Sequence, residues 1–133
     1  MSESLKHYQL VMQLKKFVIE NLNVKKELIN IDIVGDRTKI LFTGYKPDLF
    51  YEYDRTIIGE AKTSMDVDRE HSIEQYKSYL RYCDLKGNSS VVVINSSWTD
   101  SIYLSKILKN IKKENNYKTH IIIINDLDKV KDI

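Results

Sequence analysis

Apolar side chains return every three or four residues in three stretches of the chain, which is the period of an amphipathic α-helix. The first stretch runs from about Ser4 to Asn21. The second runs from about Asp68 to Cys83 and is closed by Lys86-Gly87-Asn88, and the third begins at a capping residue, Ser97 or Thr99. The apolar positions that define these predicted helices are Leu10, Val11, Leu14, Phe17, Val18 and Leu22, then Ile73, Tyr76, Leu80 and Cys83, then Leu104, Ile107, Leu108 and Ile111.

Shorter runs rich in β-branched and aromatic residues lie between the helical stretches and predict strands. Gly35-Asp36-Arg37 and Asp54-Arg55 are expected to form turns between consecutive strands. The first half of the chain favours antiparallel pairing, and the β-α-β-α-β order of the second half favours parallel strands joined by crossover helices. The predicted strands are Leu28–Val34, Lys39–Thr43, Phe50–Tyr53, Thr56–Lys62, Ser90–Ile94 and Ile121–Ile124.

Length and composition fit a single domain over residues 1–133, with 42% apolar and 30% charged residues and a net charge of +2. Cys83 is the single cysteine, which excludes an internal disulfide and a four-cysteine metal site within one chain. It lies on an apolar helical stripe and is expected in the core. We expect a soluble, cytoplasmic protein, because the N-terminus does not look like a signal peptide and no run approaches about 18 apolar residues.

Two acidic residues and a lysine are expected to meet on one hairpin. Asp48 follows Pro47 at the start of one strand, and Glu60 and Lys62 lie two residues apart on the next, so that both point to the same face. Two carboxylates suit Mg²⁺, and a nearby ammonium suits a phosphate or an attacking water. This combination indicates a phosphodiester-cleaving site. The alternative is that Asp48 is a turn residue and that Glu-x-Lys arose by chance in a highly charged chain.

The element order and these residues resemble the PD-(D/E)XK, or restriction-endonuclease-like, nuclease superfamily. The matching pieces are Pro47-Asp48 with Gly59-Glu60-Ala61-Lys62-Thr63, and Gln75-Tyr76-Lys77-Ser78-Tyr79, which is similar to the Gln-x-x-x-Tyr signature of the RecB-like branch. The resemblance implies an α/β fold with an αβββαβ core. In it a mixed central sheet is flanked by helices, and here an additional helix and strand follow at the C-terminus.

The resemblance also implies roles for individual residues. Asp48 and Glu60 would hold the metal with the carbonyl of Ala61, and Lys62 would orient the attacking water and stabilise charge on the phosphate. Glu20, on the polar stripe of the first helix, would be a further acidic ligand. Lys16 on the same stripe is a candidate contact to nucleic acid.

Gln75 and Tyr79 lie one turn apart on the second predicted helix and would contact the metal-bound water or the DNA backbone. We expect them on the side of Glu60 and Lys62, with Gln75 exposed, whereas Ile73, Tyr76 and Leu80 would be buried on the opposite side. The three histidines lie in separate elements without the spacing of metal ligands; they are His7, His71 and His120. His71 is the exception to note, because it begins the helix of Gln75 near the proposed site.

These residues predict a Mg²⁺-dependent deoxyribonuclease, with Mn²⁺ able to substitute, that acts on DNA as a homodimer. Two alternatives stay open. The chain could be a nucleic-acid-binding or inhibitor module on the same fold without cleavage, or it could be a nuclease that acts on RNA or in transposition.

Overall fold

In the computed structural model the chain forms one mixed six-stranded sheet with three helices packed on it. The structure describes residues 5–33, 38–63, 66–87, 89–125, 127 and 130–133. The expected α/β class with a mixed sheet flanked by helices is therefore confirmed. The elements are α1 (Leu5–Asn21), β1 (Asn30–Ile31), β2 (Leu49–Glu52), β3 (Thr56–Ala61), α2 (Glu70–Lys86), β4 (Val91–Ser96), α3 (Trp98–Asn115), β5 (His120–Asn125) and β6 (Val130–Asp132).

The strands lie in chain order across the sheet, and β3 is the junction between its two halves. Strands β1, β2 and β3 pair antiparallel, whereas β3, β4 and β5 pair parallel and β6 returns antiparallel to β5. Helices α2 and α3 are the crossovers between parallel strands. Because both connections step in the same direction across the sheet and such crossovers are right-handed, both helices cover the same face.

The two faces of the sheet carry separate apolar cores. One core lies under α2 and α3 and includes Ile58, Val92 and Ile94, and the other lies under α1 and includes Ile57 and Val93. Neighbouring residues of one strand thus enter opposite cores, as the alternation of a strand requires. Cys83 is fully buried in the first core, as expected, and burial raises the pKa of its thiol to about 12.

The first half of the chain differs from the predicted strands. Lys39–Thr43 is not a strand, because the chain turns there, with Gly44 N–H donating to the Leu41 carbonyl and Thr43 hydroxyl donating to the Ser78 carbonyl of α2. This segment packs on a helix instead of pairing with the sheet. The predicted strand Leu28–Val34 shrinks to the two residues of β1, and Leu28 belongs to a short 3₁₀ turn.

Other boundaries agree closely with the sequence. The hairpin of β2 and β3 forms as expected, with Glu52 pairing with Thr56 across the turn. Gly87 ends α2 with a φ of +67° and donates to the Cys83 carbonyl. The predicted turn Gly35-Asp36-Arg37 lies outside the described residues, as do Ser4, Val34 and Asn88. Strand β6 was not predicted. No helix in the described part of the chain combines the length and apolar character that crossing a bilayer needs.

Gly59 lets α1 approach β3 closely. A Cβ atom at this position would lie 2.8 Å from Leu14 Cδ2 and 3.0 Å from Leu49 Cβ. Both neighbours are fully buried, so neither side chain can turn away into solvent. The glycine before Glu60 therefore sets the distance between the first helix and the strand that carries the acidic residue.

We expect Gly59→Ala to destabilise the protein by about 1–3 kcal/mol, because an extra methyl group in a filled core forces its neighbours to move. Urea denaturation measures the change. In a Leu14→Ala background, which removes the clashing side chain, the same substitution should cost clearly less. An equal cost in both backgrounds would contradict the close contact between α1 and β3.

Candidate functional site

The hydrogen-bond ladder between β2 and β3 stops where Pro47 enters it. Leu49 pairs with Gly59, so that Pro47 lies opposite Ala61. Proline has no N–H to donate. The Ala61 N–H donates to Asp48 Oδ2 at 2.9 Å. A hydrogen-bonded residue of an antiparallel ladder directs its N–H and C=O to the same neighbour, so the Ala61 carbonyl faces Asp48, where Pro47 cannot donate to it.

Glu60 and Lys62 point to the α2 face of the sheet and lie among the side chains of that helix. Tyr79 hydroxyl donates to Glu60 Oε1 at 2.8 Å, and Lys62 Nζ lies 3.5 Å from Glu60 Oε2. Lys62 Nζ also donates to Gln75 Oε1. The structure thus brings Glu60, Lys62, Gln75 and Tyr79 together, and Asp48 joins them through the Ala61 amide.

The surroundings of Gln75 differ from the expectation of an exposed side chain. Gln75 is buried, and its amide oxygen accepts a hydrogen bond from the Lys62 ammonium. Tyr76 is buried as expected, but it does not face away from the site, because Lys62 Nζ lies 5.9 Å from the centre of its ring. Ile73 is only partly buried, whereas Leu80 is fully buried in the core.

Burial raises the pKa of Glu60 from its ordinary value of 4.5 to about 8, and the negative charge of Asp48 adds to this rise. The Lys62 ammonium and the Tyr79 hydroxyl act in the opposite direction. Burial and the nearby Glu60 also keep the pKa of Tyr79 far above its ordinary value of 10, so this tyrosine remains a donor. At neutral pH the pair of carboxylates therefore retains a proton unless another positive charge replaces it.

His7, at the start of α1, reaches the same cluster. Its Nε2 lies 3.2 Å from Asp48 Oδ2. Side-chain exposure rises from 6% at Glu60 through 11% at Asp48 to 26% at His7, so solvent approaches the cluster from the His7 side. Sequence patterns missed this residue because only histidines spaced as metal ligands were considered. A signal was present, since His7 precedes Leu10 and Val11 by three and four residues and so is a polar residue on the apolar stripe of the predicted helix.

Asn95 is a second residue of the site that the sequence patterns did not predict. Its carbonyl accepts the backbone N–H of Lys62 at 2.9 Å, and its side-chain amide donates to the Leu10 carbonyl and to Gln13 Oε1. Asn95 is fully buried at the end of β4. It ties the strand end that carries Lys62 to the middle of α1, and thereby fixes the position from which the lysine side chain extends.

Glu20 and Lys16 lie apart from this cluster. Glu20 follows His7 by almost four turns of α1, which is about 20 Å at 1.5 Å per residue, and Lys16 follows it by about 13 Å. Both line a different cavity of about 490 Å³. The structure therefore does not bring Glu20 to Asp48 and Glu60. The other residues lining that cavity are Gln13, Phe17, Asn21, Ile124, Asn125 and Val130.

The donors at the site fit one kind of metal better than others. Among the described residues no group of three or more His, Cys, Asp or Glu side chains is arranged to hold a metal ion. Asp48, Glu60 and the Ala61 carbonyl are oxygen donors. Mg²⁺ is commonly bound by one or two carboxylates, with water and substrate phosphates completing its shell. The set fits Mg²⁺, whereas it lacks the four protein ligands of a structural zinc site.

Comparisons with protein-family models, with curated proteins and with solved structures found no match.

Without divalent cations, the free energy of unfolding should fall as the pH rises from about 4.5 to about 8. In this range the folded protein keeps a proton on Glu60 that the unfolded chain has released. Because the unfolded state binds fewer protons than the folded state, rising pH favours the unfolded state. Urea denaturation at a series of pH values measures the slope. Glu60→Gln should flatten it, and Glu74→Gln, on the exposed side of α2, should leave it unchanged. Equal slopes in Glu60→Gln and the wild type would refute the proton on Glu60.

Proposed function

We propose that this protein is a Mg²⁺-dependent nuclease that hydrolyses phosphodiester bonds of DNA, with Mn²⁺ able to replace Mg²⁺. The observation that carries the proposal is the buried group of Asp48, Glu60 and Lys62, with two acids and one ammonium around the strand end at Ala61. An isolated buried carboxylate pair is costly to keep. A divalent cation that displaces the Glu60 proton would lower this cost.

The cation would be held by Asp48, Glu60 and the carbonyl of Ala61. When bound, it would supply positive charge to a phosphate and lower the pKa of a coordinated water. Asp48 is held by the Ala61 amide and lies beside His7, and Glu60 is fixed by the Tyr79 hydroxyl. The carboxylates are therefore in place before any ligand arrives, which is the preorganisation that electrostatic catalysis requires.

Lys62 would act on the substrate phosphate directly. An ammonium has three N–H donors. One is directed to Gln75 Oε1 and a second faces Glu60 Oε2, which leaves the third for a phosphate oxygen or the attacking water. Gln75 in this proposal is a positioning residue for Lys62, and Tyr79 is one for Glu60. The side of the cluster at His7, where exposure is greatest, is the direction from which DNA would enter.

A homodimer remains part of the proposal. Two copies related by a two-fold axis would present two sites to the two antiparallel strands.

Cation binding should raise the unfolding temperature and release a proton near pH 7. Mg²⁺ or Mn²⁺ replaces the proton on Glu60, and a ligand that binds only the folded state stabilises it by mass action. Calorimetric titration in two buffers of different ionisation enthalpy counts the released protons. Glu60→Gln should release none, and Asp48→Asn should bind the cation weakly. Glu74→Gln is the matched control and should behave like the wild type. A wild-type response in Glu60→Gln or Asp48→Asn would remove that residue from the site.

Lys62→Ala should reduce DNA hydrolysis by about 10²- to 10³-fold, the loss typical of one preorganised donor. Its thermal shift with Mg²⁺ should persist because no ligand is removed. Lys77→Ala, which removes a partly exposed lysine of α2 that pairs with Glu74, should leave hydrolysis unchanged. The measurement is cleavage of labelled DNA with Mg²⁺, Mn²⁺ or chelator. Hydrolysis by Lys62→Ala at the wild-type rate would reject the assignment, and a wild type that binds DNA and cation without cutting either strand would be the binding module.

A further inference from the structure

The loop between Thr38 and Pro47 presents an aromatic side chain on a fixed backbone. Leu41 is buried in the core under α2, and the Thr43 hydroxyl donates to the Ser78 carbonyl at 3.0 Å. Phe42, between these two anchors, is 68% exposed. An exposed phenylalanine loses contact with water only when something covers it. Its placement on an anchored loop therefore leaves an aromatic face available for contact with another molecule.

Phe42 belongs to a cluster of rings and ammonium groups that we call the aromatic–basic patch; it consists of Phe42, Tyr82, Phe50, Lys39 and Lys86. The rings of Phe42 and Tyr82 lie 4.8 Å apart at 41°, and Phe50 meets Tyr82 edge-on at 6.0 Å. Lys86 Nζ lies 5.3 Å from the centre of the Tyr82 ring, and Lys39 Nζ 4.9 Å from that of Phe50. The two ammonium groups thus lie over the rings of Tyr82 and Phe50, and Tyr82 packs against the exposed Phe42.

One carboxylate lies among these positive charges. Glu52 is 3.9 Å from Lys39 Nζ and 3.6 Å from Lys86 Nζ, and its Oε2 accepts the Tyr82 hydroxyl at 2.9 Å. Two ammonium groups around one carboxylate leave the patch with a net positive charge. A surface that combines a free aromatic face with ammonium groups is complementary to unpaired nucleotides, which carry stackable bases on a phosphate chain.

The patch lies at the opposite end of the hairpin from the acidic cluster. Glu52 follows Asp48 by four residues of β2, which is about 13 Å at 3.3 Å per residue. Nucleotides advance at least about 3.4 Å each along a strand, so a few nucleotides suffice to reach from the acidic cluster to the patch. Two tyrosines of helix α2 contact the two ends of the hairpin, with the Tyr79 hydroxyl at Glu60 and the Tyr82 hydroxyl at Glu52.

We propose that the aromatic–basic patch binds single-stranded nucleic acid beside the cleavage site, with an unpaired base stacked on Phe42. This inference rests on the proposed nuclease function and specifies its substrate, which is DNA with an unpaired segment next to the scissile bond. In a continuous duplex the faces of the bases are already stacked on one another. An unpaired base has a free face that can cover Phe42.

The test is equilibrium binding of fluorescent oligonucleotides in chelator, where no cleavage occurs. Phe42→Ala should weaken binding of a single strand by about 5- to 150-fold, the loss of one stacked base, and should leave binding of a blunt duplex nearly unchanged. Ile40→Ala is the matched control, because Ile40 is 71% exposed on the same loop but has no ring. Phe42→Trp should restore single-strand binding, whereas Phe42→Leu should not. Thermal unfolding verifies that each variant folds.

Three results would overturn the inference: an effect of Phe42→Ala below twofold, an equal loss in Ile40→Ala, or wild-type binding by Phe42→Leu, which would indicate an apolar partner.

The charge of the patch gives an independent test. Glu52→Gln removes the carboxylate that neutralises the two lysines and should tighten single-strand binding at low salt, and weaker binding would also count against the patch.

The binding assay separates this inference from the nuclease proposal, since it needs neither cation nor cleavage. Loss of single-strand binding in Phe42→Ala, with no cleavage by the wild type, would uphold the patch and reject the nuclease. If the wild type cleaves DNA with a divalent cation but Phe42→Ala binds single strands as well as the wild type does, the nuclease proposal is upheld and the patch is rejected.

Discussion

The interruption of the β2–β3 ladder at Pro47 is the constraint on which the candidate site depends. A residue with an amide N–H opposite Ala61 could extend the ladder and occupy the Ala61 carbonyl. Pro47 has no N–H to donate to the Ala61 carbonyl, its own carbonyl accepts the Thr38 hydroxyl, and the Ala61 amide donates to Asp48 instead. One acidic side chain is thereby fixed against the strand that carries the other.

The neighbouring strand and helix also hold the candidate site in place. Strand β3 joins the antiparallel and parallel halves of the sheet, so the residues after Glu60 meet β4 at Asn95 and the residues before it meet the hairpin. Helix α2 then covers Glu60 and Lys62 with side chains that contact both. The helix that buries the Glu60 carboxyl group, and thereby raises its pKa, also provides the hydroxyl and the amide oxygen that hold Glu60 and Lys62 in place.

Sequence patterns predicted the features that depend on local periodicity and spacing. The three helices, the hairpin and the parallel strands follow from recurring apolar residues, and the meeting of Asp48, Glu60 and Lys62 follows from strand alternation. The sequence patterns failed where contacts between distant parts of the chain determine the local structure. Lys39–Thr43 has the composition of a strand but packs on α2, and the short strand β6 has too little pattern to detect. His7 contacts Asp48 across 41 residues of chain, and helix or strand periodicity does not predict that the two residues meet.

The buried position of Cys83 has a practical consequence for labelling this protein. Reagents for thiols attack the thiolate, and this thiol is both shielded from solvent and protonated far above neutral pH. A cysteine introduced on the surface would therefore be the reactive one without removal of the native residue. Paired fluorophores on the loop beside Leu41 and at the start of α1 could then report how the two ends of the hairpin respond to a ligand.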